Sequence, residues 1–192
     1  MQTLWNQLKN KLSHIAPKIV EGLDQGVTGA QIKELEEKLN VKLPKDFIAF
    51  YKVHNGQNEA TPWMVDGEEL LSFDRIYQEW RVWKDLLDDK HFEESDGKQY
   101  SSEPENGIKN LWWNDQWIPF TYDGAGNHLC LDLDPDVDGN YGQTIRMWHD
   151  DSIRTLNGKS FTQWITNYNT QLQNDDLVYA EDNSAIINKN DV

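Results

Sequence analysis

The chain reads as a single α+β domain, a largely antiparallel central sheet flanked by helices. Three observations predict this. Between residues 112 and 148, three short aromatic or β-branched runs (112–120, 128–134 and 144–148) are separated by Gly/Asp/Asn clusters, the pattern of an antiparallel meander. On either side, apolar residues recur at helical spacing. The length, 192 residues, suits one domain with a sizeable core.

In chain order, Leu4, Trp5, Leu8, Leu12 and Ile15 fall on one helical face and Pro17 ends that helix, so residues 1–23 are expected to hold one N-terminal helix. Residues 22–29 carry three glycines and read as a loop. Thr28 and Gln31 have the spacing of a capping box. The next helix buries Ile32, Leu35 and Leu39, keeps Lys33, Glu34, Glu36, Glu37 and Lys38 wet, and ends near Asn40. A second helix starts with Pro44 in its first turn, points Phe47, Phe50 and Tyr51 one way and stops at Asn55-Gly56. Residues 63–65 and 70–71, around Asp66-Gly67, are expected to pair as a short hairpin. Ser72 or Asp74 caps a helix running to about residue 88, with Ile76, Trp80, Trp83 and Leu87 inside. Residues 85–105 hold eight acidic side chains against Lys90 and Lys98, so the insertion 88–106 reads as an exposed loop. Leu129, Leu131 and Leu133 alternate with Cys130 and Asp132, which predicts one apolar face. Ser160 opens a last helix with Phe161, Trp164, Ile165 and Tyr168 on one side. Residues 177–179 and 185–187 form a terminal hairpin. The domain proper is expected over 24–188, and 189–192 as a frayed tail.

Composition narrows the function. There are 18 Lys plus Arg against 33 Asp plus Glu, a net charge of −15. Such a chain repels phosphates and anionic lipid surfaces, so neither nucleic acid nor membrane is an expected partner; a basic protein is. Cys130 is the lone cysteine, which excludes an internal disulfide and a Cys-based zinc site. The first residues lack a basic segment followed by an apolar one, and no apolar run approaches ~18 residues, so a cytoplasmic location is expected.

With these pieces laid out, the chain resembles the SUKH superfamily, which holds bacterial toxin-immunity proteins and the Smi/Knr-type cell-wall assembly regulators. The resemblance rests on residues 28–39, 43–51, Asn55-Gly56, 117–120, 123–127, 129–135, Gly142-Gln143 and 160–165, met in the family's order. It implies an α+β fold and a non-enzymatic binding role without cofactor. The reading it favours is an immunity protein that occludes a basic, nuclease-type toxin domain, as a monomer or weak dimer. The alternative it implies is a regulator or scaffold module binding cellular proteins; the fungal members carry long disordered arms, which this chain is expected to lack.

Candidate contacts for a basic partner are Asp134, Asp136 and Asp138 in the acidic turn, Glu93, Glu94 and Asp96 in the insertion, and Trp113 with Asp115. Asp134, Asp136, Asp138 and Gly139 also stand at positions 1, 3, 5 and 6 of an EF-hand-like loop, but Ile145 occupies position 12, where a bidentate Glu is required, and a strand leads in, so no metal site is expected. His54, His128 and His149 fit no His-x-x-x-His or His-Glu-x-x-His pattern and read as structural. Cys130 reads as a small buried hydrophobe. Asp123 to Asn127 lacks the lysine and following helix of a phosphate loop and reads as a hairpin turn. Trp112, Trp113 and Trp117 could stack on a sugar, but core positions are favoured. A carbohydrate-active enzyme would need two carboxylates flanking a cleft, a pair the sequence spacing does not supply.

Overall fold

The structure, a computed structural model, describes residues 1–192. Its elements are α1 (Gln2–Ile15), α2 (Pro17–Glu21), β1 (Leu23–Gln25), α3 (Gly29–Leu39), α4 (Lys45–Tyr51), β2 (His54–Gln57), β3 (Glu69–Leu70), α5 (Phe73–Asp88), β4 (Glu103–Pro104), β5 (Trp117–Pro119), β6 (Thr121–Tyr122), β7 (His128–Asp132), β8 (Gln143–Met147), β9 (Ile153–Gly158), α6 (Phe161–Gln173), β10 (Leu177–Ala180) and β11 (Ala185–Asn188). The α+β class is what the sequence predicted. The main sheet runs β4-β9-β8-β7-β5, antiparallel throughout except where β4 lies parallel to β9. Pairs β1-β2, β3-β6 and β10-β11 form small sheets at its margins.

Local signals set the helix ends. The Thr28 hydroxyl accepts from the Gln31 amide while the Gln31 side chain accepts from the Thr28 amide, the reciprocal capping box. Asn40 closes α3 in the left-handed region at φ 55°. Ser72 and Ser160 cap α5 and α6 by accepting from the amides of Arg75 and Gln163. Pro44 is the cap residue of α4 itself, one place ahead of its predicted position.

Aromatic rings knit the layers. Trp5 stacks on Phe50 at 4.5 Å and donates its indole N–H to the Phe50 carbonyl at 3.0 Å, so α1 belongs to the common core. Phe47 and Phe50 meet Phe161 at 5.0 and 5.1 Å, joining α4 to α6. Edge-to-face contacts of this kind add about 0.5–1.5 kcal/mol each beyond area burial.

Several expectations need correction. Helices cover both faces of β7: Trp83 of α5 reaches His128, whereas Leu129 faces α6. All five residues of β7 are therefore buried, and alternation does not mark one wet face. The N-terminal segment is two helices, because Pro17 both ends α1 and opens α2. The 63–71 hairpin shrinks to a single bridge between Val65 and Glu68; β3 instead pairs with β6, and Trp63 bridges Ala185. His54 and Asn55-Gly56 lie in β2, not at a helix end. The insertion is anchored: Phe92 is buried against Trp83 at 5.6 Å, and Glu103-Pro104 forms β4. The tail 189–192 carries a single 3-10 turn, with Lys189 bonded to Asp176 through its amide and its ammonium.

Candidate interaction surface

The turn after β7 is held rigid by main-chain ties. The Asp136 amide donates to the Gly107 carbonyl at 3.1 Å, and the Gly139 amide to the Asp136 carbonyl at 2.8 Å. Gly107 has φ +87°, and a Cβ there would lie 2.8 Å from the Gly139 Cα, so this approach requires glycine. The Asn106 amide donates to Asp138 at 3.3 Å. Residues 105–109 and 134–140 thus form one ridge, from which Asp136, Val137 and Asp138 project into solvent. Val137 is 92% exposed, an aliphatic tip between two carboxylates.

Asp134 faces inward from the ridge. Lys109 pairs with it at 2.5 Å and the Asn114 amide donates to it at 3.0 Å. Burial opposes its ionisation, but these two donors outweigh it and hold the carboxyl below its usual range. Asp138 turns instead to Asn106, and no group of three or more His, Cys, Asp or Glu could hold a metal ion. The EF-hand spacing therefore brings its carboxylates to different partners.

In the insertion, Glu93 pairs with Lys90 at 3.1 Å and Asp96 with Lys98 at 2.8 Å, whereas Glu94 is exposed and unpaired. Exposed pairs of this kind contribute little to stability. Trp113 is fully buried, stacked on Trp83 at 6.2 Å, so it is a core residue and leaves the set of partner contacts. Trp117 is fully buried too. Asp115 is half-buried and uses its carbonyl to accept from the Trp80 indole at 2.8 Å.

Arg154 pins the inner end of the insertion. Its buried guanidinium donates to the carbonyls of Asp151 (2.6 Å), Ile153 (2.8 Å) and Trp112 (2.8 Å) and lies 5.3 Å from the Trp112 ring. No carboxylate pairs with it, and burial lowers its pKa to about 10. The other buried ionisable groups are also tied into the fold. Glu68 pairs with Arg146 and accepts from the Thr121 hydroxyl, yet burial still raises its pKa. Arg75 serves Glu79 (2.8 Å), Glu69 (3.2 Å) and Glu59 (3.8 Å) together. His128 bonds the Thr121 carbonyl through Nδ1 at 2.7 Å and accepts the Trp83 indole N–H on Nε2 at 3.2 Å, which fixes a neutral tautomer. Burial pushes the Cys130 thiol up, away from the thiolate a nucleophile needs.

Asp136 and Asp138 are exposed, as their reading as turn residues expected, whereas the exposed Val137 and the anchors Gly107 and Arg154 were not singled out from the sequence. Val137 had a readable signal, a lone branched aliphatic in an Asp/Gly turn. Gly107 and Arg154 had none, since the close approach to Gly139 and the bond to the Trp112 carbonyl span 32 and 42 residues.

These features define an α+β domain that carries a fixed acidic ridge and locks its buried ionisable groups into structural bonds. The chain belongs to the SMI1/KNR4 family (SUKH-1), which residues 26–167 match. It is 21% identical to the cell wall assembly regulator SMI1 of Saccharomyces cerevisiae, over 93% of this chain and 42% of that protein. It is 22% identical to the cell wall biosynthesis/cell cycle regulator smi1 of Schizosaccharomyces pombe, over 84% of this chain and 34% of that protein. It is also 23% identical to F-box only protein 3 of Bos taurus, over 85% of this chain and 33% of that protein. The chain thus spans about a third to two-fifths of the length of these relatives. No helix is long and apolar enough to cross a membrane.

Proposed function

We propose that this protein is a regulatory binding module that acts by docking other proteins, with the ridge at Asp136, Val137 and Asp138 as its principal contact. The observation that carries this is the ridge itself: an almost fully exposed aliphatic residue held between two exposed carboxylates by a glycine-dependent turn. The regulator names of its fungal relatives support the alternative reading the sequence raised, a regulator or scaffold module, ahead of toxin immunity. Complementary charge speeds encounter, and the central apolar contact sets the lifetime. The test is affinity capture from the native cell with wild type and a Val137→Ser/Asp136→Asn/Asp138→Asn variant. Partners held by wild type and lost by the variant support the reading; equal capture refutes the ridge as contact, and no capture by either refutes the module.

Toxin immunity remains as a second reading because the net charge of −15 favours a strongly basic partner. Its test is co-expression with the basic C-terminal domain of a neighbour-encoded toxin. Rescue of growth with a stable complex supports it; failure of both removes it.

A further inference from the structure

A second surface lies away from the ridge, between the inner strands β7, β8 and β9 of the sheet and α6. There Asp66, Arg146, Asn157, Trp164, Asn167 and Gln171 line a cleft of about 220 Å³. That is room for several waters rather than one. The carboxamides of Asn157, Asn167 and Gln171 are exposed and make no hydrogen bond within the protein. Arg146 is oriented from two sides, by Glu68 and by the Trp148 ring 4.8 Å away. Asp66 uses one oxygen to accept from the Asn188 amide at 2.9 Å, leaving the other for an occupant.

The cleft offers donors and acceptors side by side, and with Arg146 neutralised by Glu68 its one remaining charge is the Asp66 carboxylate. An extended peptide main chain presents the same alternation. The spacing also agrees. Asn167 and Gln171 stand one above the other on α6, ~6 Å apart along the axis. Alternate residues of an extended chain repeat at ~6.6–6.8 Å. Asn157 reaches in from β9 on the opposite wall. A sugar ring would need an aromatic face to stack on, but Trp164 and Tyr168 are only 6% and 4% exposed.

We infer that this cleft holds a short extended segment of a partner protein, three to four residues long, gripped through its main chain by Asn157, Asn167 and Gln171. The inference rests on the binding-module reading and adds a second, sequence-tolerant contact to it.

The test pans a random heptapeptide phage library against the full chain. Enriched peptides are then titrated by calorimetry into wild type, Asn167→Ala/Gln171→Ala and the ridge variant. Both alanines sit at exposed helix positions where alanine is the best helix former, so the fold is retained, as a thermal melt verifies. The expected result is at least a tenfold loss of affinity in the cleft variant, none in the ridge variant, and loss of binding when alternate peptide amides are N-methylated. Equal binding to the cleft variant, indifference to N-methylation, or absence of any enriched peptide overturns the inference. So does a glucan hexasaccharide that binds wild type and not the cleft variant while peptides fail. Capture from the native cell separates the two readings. If wild type and cleft variant retain the same partners and no peptide binds, the cleft falls and the module stands; if wild type retains nothing, the module falls.

Discussion

Lowering the pH from 7 to 5 should destabilise this protein by about 2 kcal/mol through one side chain, His128. The ring is fully buried, and its Nε2 accepts the Trp83 indole N–H, so protonation in the folded state would both charge a buried group and break that bond. Burial lowers its pKa to about 4, against about 6.5 in the unfolded chain. A lowered histidine pKa gives stability that is complete above about 6.5 and is lost as pH falls toward 4. Linkage between those two values gives about 0.2 kcal/mol lost at pH 7 and about 2 kcal/mol at pH 5. Asp132 works in the opposite sense. Burial outweighs its bonds to the Gln143 side chain and the Asp134 amide and raises its pKa to about 6, so its contribution is present in acid and fades as pH rises through 6. The total profile therefore mixes signs, and the decisive quantity is a difference between proteins. His128→Gln keeps a donor for the Thr121 carbonyl and an acceptor for Trp83 but cannot titrate. Urea unfolding of wild type and variant at pH 7, 6 and 5 should show wild type losing about 2 kcal/mol more than the variant between the extremes. Parallel profiles would mean that the folded ring titrates near its free value, and the account of its burial would be wrong.

Three further perturbations have defined outcomes. Trp113→Ala should cost about 3–5 kcal/mol in urea unfolding, the range for emptying a buried tryptophan site; a loss under 1 kcal/mol would mean the ring is not packed as described. Arg154→Leu leaves the carbonyls of Asp151, Ile153 and Trp112 without their donor, at about 1–3 kcal/mol for each that water cannot reach, and limited proteolysis should then cleave within residues 93–111 many-fold faster. Gly107→Ala forces a side chain into the left-handed region and against Gly139, so it should cost at least about 1–3 kcal/mol and speed amide exchange of Asp136 and Gly139, with α3 unaffected.

Where local chemistry decided the structure, the sequence could be read directly. The Thr28/Gln31 box, the Asn40 stop and the serine caps of α5 and α6 act within four residues, and each appears where its pattern placed it. The meander β5, β7 and β8 followed from Gly/Asp/Asn-rich breaks between apolar runs. What stayed hidden depends on distant partners. Strand β9 carries the polar Arg154, Thr155 and Asn157, and its place in the sheet comes from main-chain pairing with β8 and the β4 segment, which leaves no mark in its side-chain pattern. The inner end of the insertion reads as acidic loop because its anchors, the Phe92 ring on Trp83 and the carbonyl of Trp112 on Arg154, show no periodicity. The same applies to the candidate contacts. Asp136 and Asp138 were legible as turn residues, but the burial of Trp113 came from α5, thirty residues upstream in the chain.

The two anchors of the insertion have an evolutionary corollary. With Phe92 fixing one end and the β4–Arg154 junction the other, residues 93–101 form a closed bracket anchored at both ends. Doubling the length of such a loop adds only about 0.6 kcal/mol of closure entropy. The stretch can therefore grow, shrink and change composition among descendants while the core beneath it keeps its shape, which makes it the natural place for lineages to diversify.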